Sequence, residues 1–472
     1  MTISTSVDDS VQEIIYEGPV SIVARVQLAS GDGSSPTQCL AVKSSTTNKR
    51  YAKEPHDILR EARLIGSVSH SNIIPLIKQE FIERSQTLRL WMPYVPFSLS
   101  DLLSSPTFSP LPLISFSFSS FSSTPPTPRE QSFLLLAKSI QFQILSGIAY
   151  LHQTTHIAHR DIKPSNVRLT DAGCVQIVDF GVAMRVVGDE EEEEGGEEER
   201  GDMWAETRGR MYFQVSTGAY RAPELLFGPQ TYDAFAIDSW SLGAMFAEFF
   251  TPLRLVSGED EDEDEYEGRI TSDSDSTSNS DEDSNPQIAP FIIPPTVRPT
   301  DPRARWTRDS LFDGERGEIG LAWSIFKIRG SPDESRWPSF NDLPDAGKVS
   351  FIDAEPTDLA RLLPNLPPST VGAAGVDTTT HSPAPTSVAS TPLDLLHRFL
   401  VYEPPRRLRP TDALHHPWFT ATTASDQPGG MILLPEGYAA PSTSSANFIF
   451  SWQNKSLGEV MRGCGSFLRV ES

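Results

Sequence analysis

The chain is poor in cysteine and has no long apolar run. Its 472 residues include three cysteines, Cys39, Cys174 and Cys464, which are far apart and odd in number. This pattern argues against a disulfide framework and is typical of a reduced intracellular compartment. No stretch of about 18 apolar residues marks a membrane span, and residues 1–10 lack the basic start and the apolar core of a signal peptide. We therefore expect a protein without a membrane partner.

Basic charge is also in deficit. Lysine and arginine number 39 against 63 aspartates and glutamates, which gives a formal net charge of -24. Two runs hold much of the excess: Asp189–Glu199 contains nine acids, and Glu259–Asp283 contains thirteen. Such runs repel themselves and are usually solvated, although docking of a basic partner is the alternative. The rest of the chain is close to neutral, so no nucleic-acid partner is predicted.

Segments rich in serine, proline or acids divide the chain. Between them, Ile58–Val68 has helical spacing among short strands, and Gln131–His152 and Asp233–Phe250 have the length and period of buried helices. We predict a disordered start at 1–11 and a C-terminal tail at 420–472 whose structure the pattern does not indicate. The predicted low-complexity insertions lie at about 104–130, 186–206, 255–305 and 366–392.

Three motifs follow one another in an order that carries chemistry. His159–Asn166 reads HRDIKPSN, Asp179–Gly181 reads DFG, and Ala222–Glu224 reads APE. This set resembles the eukaryotic protein kinases and is far more specific than any one of its members. The resemblance implies an α+β fold of two lobes: a small antiparallel-sheet lobe with one regulatory helix at about 12–93, and a large, mainly helical lobe at about 96–419. It also implies that ATP binds in the cleft together with Mg2+.

The first two motifs supply the groups that phosphoryl transfer needs. The reaction requires a carboxylate at the attacking hydroxyl, metal ions on the phosphates and cations against the developing charge. Asp161 fits the carboxylate, and Lys163 can reach the transferred phosphate. Asn166 and Asp179 fit the magnesium ligands, because Mg2+ prefers hard oxygen atoms. In the family, the residue at the position of Thr217 joins the catalytic aspartate and lysine through its hydroxyl.

The phosphate-binding part of the small lobe matches the family unevenly. Lys43 ends a strand-like segment and resembles the lysine that holds the α- and β-phosphates, and Glu61 resembles its partner on the regulatory helix. The family's glycine-rich loop keeps only Gly18, and the next residue, Pro19, offers no N–H group. We therefore expect weaker ATP binding than is usual in the family.

The adenine site is predicted around the hinge between the lobes. Met92 is the expected gatekeeper. Pro93 keeps the carbonyl that adenine needs although it lacks an N–H, and Val95 keeps both groups. Val23 and Ala41 are expected to cover the base.

Other segments resemble the cyclin-dependent kinases within this family. Pro55–Glu61, PHDILRE, aligns without a gap with their cyclin-binding helix motif, PSTAIRE. Arg221 is typical of kinases that phosphorylate Ser or Thr before proline, because it engages a backbone carbonyl in the substrate groove. In the family Arg407 pairs with Glu224. The resemblance therefore implies a protein substrate with a Ser/Thr-Pro site, a possible cyclin partner and a location in the nucleus or the cytoplasm.

The activation segment departs from that resemblance. Tyr212 stands where these kinases carry the threonine that is phosphorylated and clamped by arginines, whereas Arg60 and Arg160 of the clamp remain. We hypothesise that Asp189–Glu199 supplies the negative charge instead, with Thr207 as an alternative phosphorylation site. The pattern resembles the fungal single-subunit kinases that activate other cyclin-dependent kinases.

Two further classes of function remain open on the sequence. A pseudokinase scaffold would use the fold for binding without phosphotransfer, and the degraded glycine loop favours it. A cyclin-binding module without catalysis is the second. The retention of all four family residues at the phosphate and metal positions argues for an active enzyme; they are Lys43, Asp161, Asn166 and Asp179.

Overall fold

The computed structural model divides the chain into the two predicted lobes. The predicted disordered start at 1–11 lies outside the described residues, as do large parts of the predicted insertions. The described residues are 12–28, 38–113, 126–186, 201–207, 209–257, 288–367, 391–420, 431–439 and 446–464.

The small lobe is a five-stranded antiparallel sheet in the order β1-β2-β3-β5-β4. Side chains alternate between the two faces of a strand, so Leu40 and Val42 of β3 pack in a buried cluster on one face. Ala41 and Lys43 consequently face the other side, towards the cleft. The strands are β1 (Gln12–Glu17), β2 (Ile22–Leu28), β3 (Gln38–Thr46), β4 (Lys78–Ile82) and β5 (Thr87–Pro93).

Helix α1, Ile58–Gly66, is the predicted regulatory helix and packs on the cleft side of this sheet. Asp57 begins it, because its carboxylate accepts the backbone N–H groups of Leu59 and Arg60 at 3.0 Å. Such a cap satisfies donors that have no partner inside the first turn. Ile58 and Ala62 are buried in a cluster with residues of β5. Ile58 and Ala62 therefore define the face of α1 that packs on the sheet.

The large lobe is built around helices α3 and α4. Helix α3 begins at Pro128, three residues before the predicted start, because Thr127 and Glu130 form a reciprocal capping box. It is long and apolar enough to cross a membrane, but 89% of its most apolar window is buried inside the lobe. It is therefore a core helix. The helices are α2 (Leu99–Leu103), α3 (Pro128–Thr154), α4 (Ala234–Ala247), α5 (Gly317–Arg329), α6 (Leu359–Leu362), α7 (Pro392–Phe399), α8 (Pro410–Ala413), α9 (Pro417–Thr420) and α10 (Leu457–Cys464).

Short strands hold the loops of the large lobe in place. Strands β6, β8 and β9 form one sheet beneath the cleft, and β7 pairs with β10 beside the catalytic loop. The short strands are β6 (Phe97–Ser98), β7 (Ile157–Ala158), β8 (Val167–Leu169), β9 (Val175–Ile177), β10 (Met184–Arg185), β11 (Leu253–Val256), β12 (Phe291–Ile292), β13 (Arg305–Arg308), β14 (Met431–Leu433) and β15 (Asn447–Ile449).

Three segments that the sequence set apart contain residues that pack inside the fold. The segment predicted as a loop at 104–130 enters the core: Phe108 is fully buried and its ring lies 5.0 Å from that of Phe133. The segment predicted as an insertion at 186–206 also ends inside the fold, where Met203 is buried. The tail at 420–472 returns to α3, and Leu433 donates its backbone N–H to Ser139 Oγ at 2.9 Å.

Candidate active site

The cleft between the lobes is a cavity of about 510 Å³. Strands β1 to β3 cover it, the hinge closes its back, and β8 and the DFG segment form its floor. Of the residues predicted at the site, Gly18, Asp161 and Thr217 are not among those that line it. The predicted residues that line it are Val23, Ala41, Lys43, Glu61, Met92, Pro93, Val95, Lys163, Asn166 and Asp179.

Lys43 is fixed between two carboxylates at the centre of the cleft. Its Nζ donates to both oxygens of Glu61 at 2.8 Å and to Asp179 Oδ1 at 2.7 Å. Burial opposes the charge on Lys43, but Asp179 and Glu61 outweigh it and raise the pKa of Lys43 above its ordinary value. Burial likewise opposes the charge on Asp179, and Lys43 reverses this and lowers the pKa of Asp179. Lys43 is therefore a cation at neutral pH.

The catalytic loop places the predicted catalytic groups in one hydrogen-bonded set. Asp161 Oδ1 accepts the hydroxyl of Thr217 at 2.7 Å, and Asp161 Oδ2 lies 2.9 Å from Lys163 Nζ. Lys163 Nζ also donates to Thr217 Oγ1 at 2.7 Å. Asn166 Nδ2 donates to the backbone carbonyl of Asp161 at 2.9 Å. Thr217 therefore joins Asp161 to Lys163, as the resemblance implied.

Asp238, inside α4, anchors this loop from below. Its carboxylate is fully buried and accepts the backbone N–H groups of His159 and Arg160 at 2.8 and 2.7 Å. Arg160 has a φ of 62°, a left-handed conformation that costs free energy in a non-glycine residue and is held by its surroundings. In the sequence, Asp238 is an ionisable residue within an apolar helix. That signal identified the helix but did not predict that Asp238 holds the catalytic loop.

Among the described residues, the carboxylates that meet the clamp arginines belong to Asp202 and Glu206. The run Asp189–Glu199 lies outside the described residues. Glu206 accepts hydrogen bonds from Arg160 at 2.6 and 2.8 Å and from Arg60 at 2.8 Å. Asp202 accepts a further bond from Arg60 at 2.9 Å. Sequence reasoning missed both acids because they follow the conspicuous run in a short segment without a recognised motif.

The centre of the glycine loop, at Gly18, does not have the open backbone that would bind phosphates. Gly18 lies in the turn between β1 and β2, where its N–H donates to the carbonyl of Ser21 at 3.1 Å. The phenol of Tyr16 folds over it, so closely that a Cβ on Gly18 would collide with the Tyr16 hydroxyl. Tyr16 and Ser21 line the cleft in its place.

An arginine from the large lobe contacts the hinge, and the sequence did not predict this contact. Arg168, on β8, lines the floor of the cleft and donates from Nε to the Val95 carbonyl at 3.1 Å and from Nη2 to the Pro96 carbonyl at 3.3 Å. Burial lowers the pKa of Arg168. Its guanidinium therefore lies at the hinge end of the cleft, against the Val95 carbonyl.

Two predicted metal ligands share the phosphate end of the cleft. Asn166 and Asp179 line it together, beside Lys43. Among the described residues no group of three or more His, Cys, Asp or Glu side chains could hold a metal ion. A nucleotide-bound Mg2+ does not need such a group, since one or two protein oxygens complete a shell that phosphates and waters fill. The residues present therefore fit a magnesium ion that arrives with the nucleotide.

The groove beside Thr217 has an unusual backbone. Ser216 has a φ of 66°, and its hydroxyl donates to the carbonyl of Arg160 at 2.7 Å. Arg221 donates to the carbonyls of Phe213 and Leu225 at 2.9 and 3.3 Å. Arg221 thus engages two backbone carbonyls on either side of its own position in the chain.

Comparison with known proteins agrees with this geometry. The protein kinase domain family matches residues 17–313. Cyclin-dependent kinase 20 of Danio rerio is 26% identical over 283 residues, which are 60% of this chain and 54% of that protein. Serine/threonine-protein kinase ppk23 of Schizosaccharomyces pombe is 25% identical over 419 residues, which are 88% of this chain and 73% of that protein. The chain spans about half the length of the cyclin-dependent kinase 20 relatives.

Solved structures show the same fold. A chain of the yeast RNA Pol II CTD kinase CTDK-1 complex has a TM-score of 0.51 at 20% identity, over 90% of this chain and 97% of that one. The CAK complex of Chaetomium thermophilum bound to ATP-gamma-S gives a TM-score of 0.52 at 21% identity, over 86% and 90%. Because the family match covers more than half of the sequence, this chain belongs to the protein kinase domain family and resembles the cyclin-dependent kinases within it.

Proposed function

We propose that this chain is an ATP-dependent serine/threonine kinase of the cyclin-dependent type. One observation carries the proposal: the phosphate-binding pair and the catalytic group are both assembled. Lys43 pairs with Glu61, and Asp161 is hydrogen-bonded with Thr217, which in turn bonds Lys163. A pseudokinase has no need to keep both sets in working geometry. The product is a phosphoserine or phosphothreonine on a protein substrate.

The chain's own residues do most of the work by positioning and charge. Asp161 accepts a hydrogen bond from the substrate hydroxyl and orients its oxygen towards the γ-phosphorus. Lys163 stabilises charge on the transferred group, and Thr217 holds Lys163 and Asp161 in a fixed relation. Lys43 holds the α- and β-phosphates. Asn166 and Asp179 would hold Mg2+, which supplies further neutralisation of phosphate charge when it is bound.

We also propose a preference for proline after the target residue. Ser216 adopts the left-handed conformation, and Arg221 engages the carbonyls of Phe213 and Leu225 beside it. If the groove offers no acceptor to the next substrate N–H, any residue other than proline leaves that donor unpaired, at a cost of about 1–3 kcal/mol. Proline has no N–H and avoids this cost.

We further propose the role in cell-cycle or transcription control that the resemblance to the cyclin-dependent kinases implies, with a location in the nucleus or the cytoplasm. The 26% identity to cyclin-dependent kinase 20 supports this proposal. A cyclin remains a candidate partner through Pro55–Glu61.

The test is a phosphotransfer assay of the purified chain with ATP and Mg2+. It uses two peptides that differ only in Ser-Pro or Ser-Ala, and Asp161→Asn as the inactive control. Transfer that requires Asp161 and favours Ser-Pro is the expected result. Transfer to both peptides at equal rates would remove the proline preference but leave the kinase.

A pseudokinase is the second candidate, favoured by the position of Tyr16 over Gly18. Titration of a fluorescent ATP analogue distinguishes the two candidates. Nucleotide binding without transfer, with and without added cyclins, would favour the pseudokinase.

A further inference from the structure

We infer that residues 201–206, here called the clasp, hold the regulatory helix and the catalytic loop in their working positions without a phosphate on the activation segment and without a partner protein. This inference rests on the proposed kinase function and concerns its regulation. Its basis is a set of contacts that reach from the clasp to both lobes.

Glu206 joins two arginines that belong to different lobes. Arg60 lies on α1 and Arg160 in the catalytic loop, and each donates to Glu206 at 2.6 to 2.8 Å. The N–H of Tyr212 adds a fourth donor at 2.9 Å. Both oxygens of Glu206 are therefore engaged, and Glu206 is only 5% exposed. Burial opposes its ionisation, but its bonds with Arg160 outweigh this and lower the pKa of Glu206.

One carboxylate carries less charge than a phosphate, and a second acid makes up the difference. A phosphate has a charge of about -1.5 to -2 and three acceptor oxygens. Asp202 supplies further acceptors: it bonds Arg60 Nε at 2.9 Å and forms an ion pair with Arg63. Glu206 and Asp202 together thus provide the charge of about one phosphate.

These contacts act on the active site through neighbouring residues in the sequence. Arg60 precedes Glu61, which holds Lys43, and Arg160 precedes Asp161. Removal of Glu206 would leave two buried guanidinium groups close together with their main counter-charge gone, which is strongly unfavourable. Relief requires α1 or the catalytic loop to move, and either movement disturbs the phosphate or the hydroxyl site.

The clasp also covers part of the α1 surface that was predicted to receive a cyclin. Met203 is buried in the cluster that contains Ile58 and Ala62, and its N–H donates to Asp57 Oδ2 at 2.6 Å. Trp204 packs against the same cluster and donates from its indole N–H to the His56 carbonyl at 3.1 Å. The chain thus provides its own apolar and polar contacts to the segment Pro55–Glu61. A partner is not needed to hold α1 in place.

The experiment compares the chain with and without phosphate, and with and without the Glu206 charge. The wild-type chain is treated with phosphatase, its unphosphorylated state is verified by mass spectrometry, and its monomeric mass is verified by light scattering. It is then assayed with ATP, Mg2+ and the Ser-Pro peptide. We expect its rate to stay within about twofold of the untreated protein, since the clasp replaces the phosphate.

Glu206→Gln keeps the shape of the side chain and removes its charge. We expect kcat to fall about 10- to 100-fold, as for the loss of one hydrogen bond between charged groups. Glu206→Asp should recover part of the lost kcat. Hydrogen exchange should increase at the α1 amides but not at those of the core helix α3 in Glu206→Gln, and recover in Glu206→Asp, whereas a general loss of stability would raise exchange in both helices. Thr207→Ala is the matched control, because Thr207 is exposed and adjacent, and it should leave the rate unchanged.

Two results would overturn the inference: activity that disappears with phosphatase and returns on phosphorylation of Thr207 or Tyr212, or a Glu206→Gln chain with wild-type kcat and α1 exchange. Failure of the proposed function is distinguishable from both. It would show as no transfer by any sample, phosphorylated or not, while α1 exchange in Glu206→Gln still tests the clasp.

Discussion

Lys43 Nζ lies 2.8 Å from each carboxylate oxygen of Glu61, although eighteen residues separate them in the sequence. Glu61 is almost fully buried on α1, and Lys43 faces the cleft from β3. The pair therefore fixes the position of the helix relative to the sheet. It also orients the Lys43 ammonium group, which would contact the ATP phosphates.

Glu61→Gln removes the charge of this pair and keeps its shape. We expect kcat/KM for ATP to fall about 10- to 100-fold, the cost of one charge-assisted hydrogen bond. Steady-state kinetics with the Ser-Pro peptide measures the fall. Glu80→Gln is the control, since Glu80 pairs with Lys78 on the exposed edge strand β4. A Glu61→Gln enzyme with wild-type kinetics would show that the pair is dispensable.

Thr217→Ala removes the hydroxyl that joins Asp161 to Lys163. We expect kcat to fall about 10-fold, as for the loss of a hydrogen bond to a charged group, with little change in the KM for ATP. Thr217→Ser keeps the hydroxyl and should retain most of the rate. Equal losses in the two variants would place the role of Thr217 in its methyl group and contradict the hydroxyl bridge.

Arg168→Leu frees the carbonyl of Val95 from its bond with the guanidinium. The test ligands are ATP and 2-amino-ATP, which differ in one amino group that can donate to this carbonyl. In the wild-type chain the guanidinium already donates there and its positive charge repels a second donor, so we expect no gain from the amino group. In Arg168→Leu the amino group should tighten binding about 2- to 10-fold, one neutral hydrogen bond.

Competition binding with a fluorescent ATP analogue measures the Arg168 effect without depending on activity. Arg168→Lys is the matched variant, because it keeps the charge and loses the planar guanidinium. A wild-type chain that already prefers 2-amino-ATP by the same factor would refute the prediction.

Arg407→Ala breaks a buried ion pair that ties the activation segment to the end of the kinase fold. Arg407 donates to both oxygens of Glu224 at 2.6 and 2.7 Å, and its side chain is fully buried. We expect the free energy of unfolding to fall by about 3–5 kcal/mol, because the carboxylate is left buried without its partner. Urea denaturation followed by tryptophan fluorescence gives the value.

Arg398→Ala is the matched control for Arg407→Ala. Arg398 pairs with Asp394 at a similar distance, 2.8 Å, but its side chain is 52% exposed. We expect a change of about 0–1 kcal/mol, the usual range for an exposed pair. Similar losses in the two variants would show that burial does not decide the strength of these pairs.

Leu433→Ala tests whether the tail belongs to the core. Leu433 is fully buried, and its backbone bonds to Ser139 on α3. We expect a loss of about 2–5 kcal/mol in the free energy of unfolding, as for other leucines truncated in a core. Ile352→Ala is the control, because Ile352 is 80% exposed, and its unfolding should change little. A neutral Leu433→Ala would show that the tail only rests on the surface.

Much of the site could be predicted because kinase chemistry is written in short motifs. Asp161, Lys163 and Asn166 lie within eight consecutive residues, so the local chain brings them together. Asp179 follows on the next loop of the same sheet. The family resemblance placed Lys43 with Glu61 and Arg407 with Glu224, and the contacts in the structure agree.

Other residues at the site could not be predicted, because their partners are distant in the sequence. Arg168 looks like an ordinary strand residue until β8 is placed below the hinge. Glu206 follows a run of acids that appeared to be the better candidate. Gly18 matched the expected position in the loop, but Tyr16 folds over it, which no pattern indicated.

The sequence by itself identified the two-lobed fold class and the transferring groups through its resemblance to the protein kinases, because the motifs that carry this resemblance are short, local stretches of chain. The tertiary structure alone decided three further features: the charge between Arg60 and Arg160, the group that meets the Val95 carbonyl, and the place of the tail. Each depends on contacts between residues tens to hundreds of positions apart. Such contacts form only when packing brings these segments together and burial makes an unpaired charge or carbonyl costly.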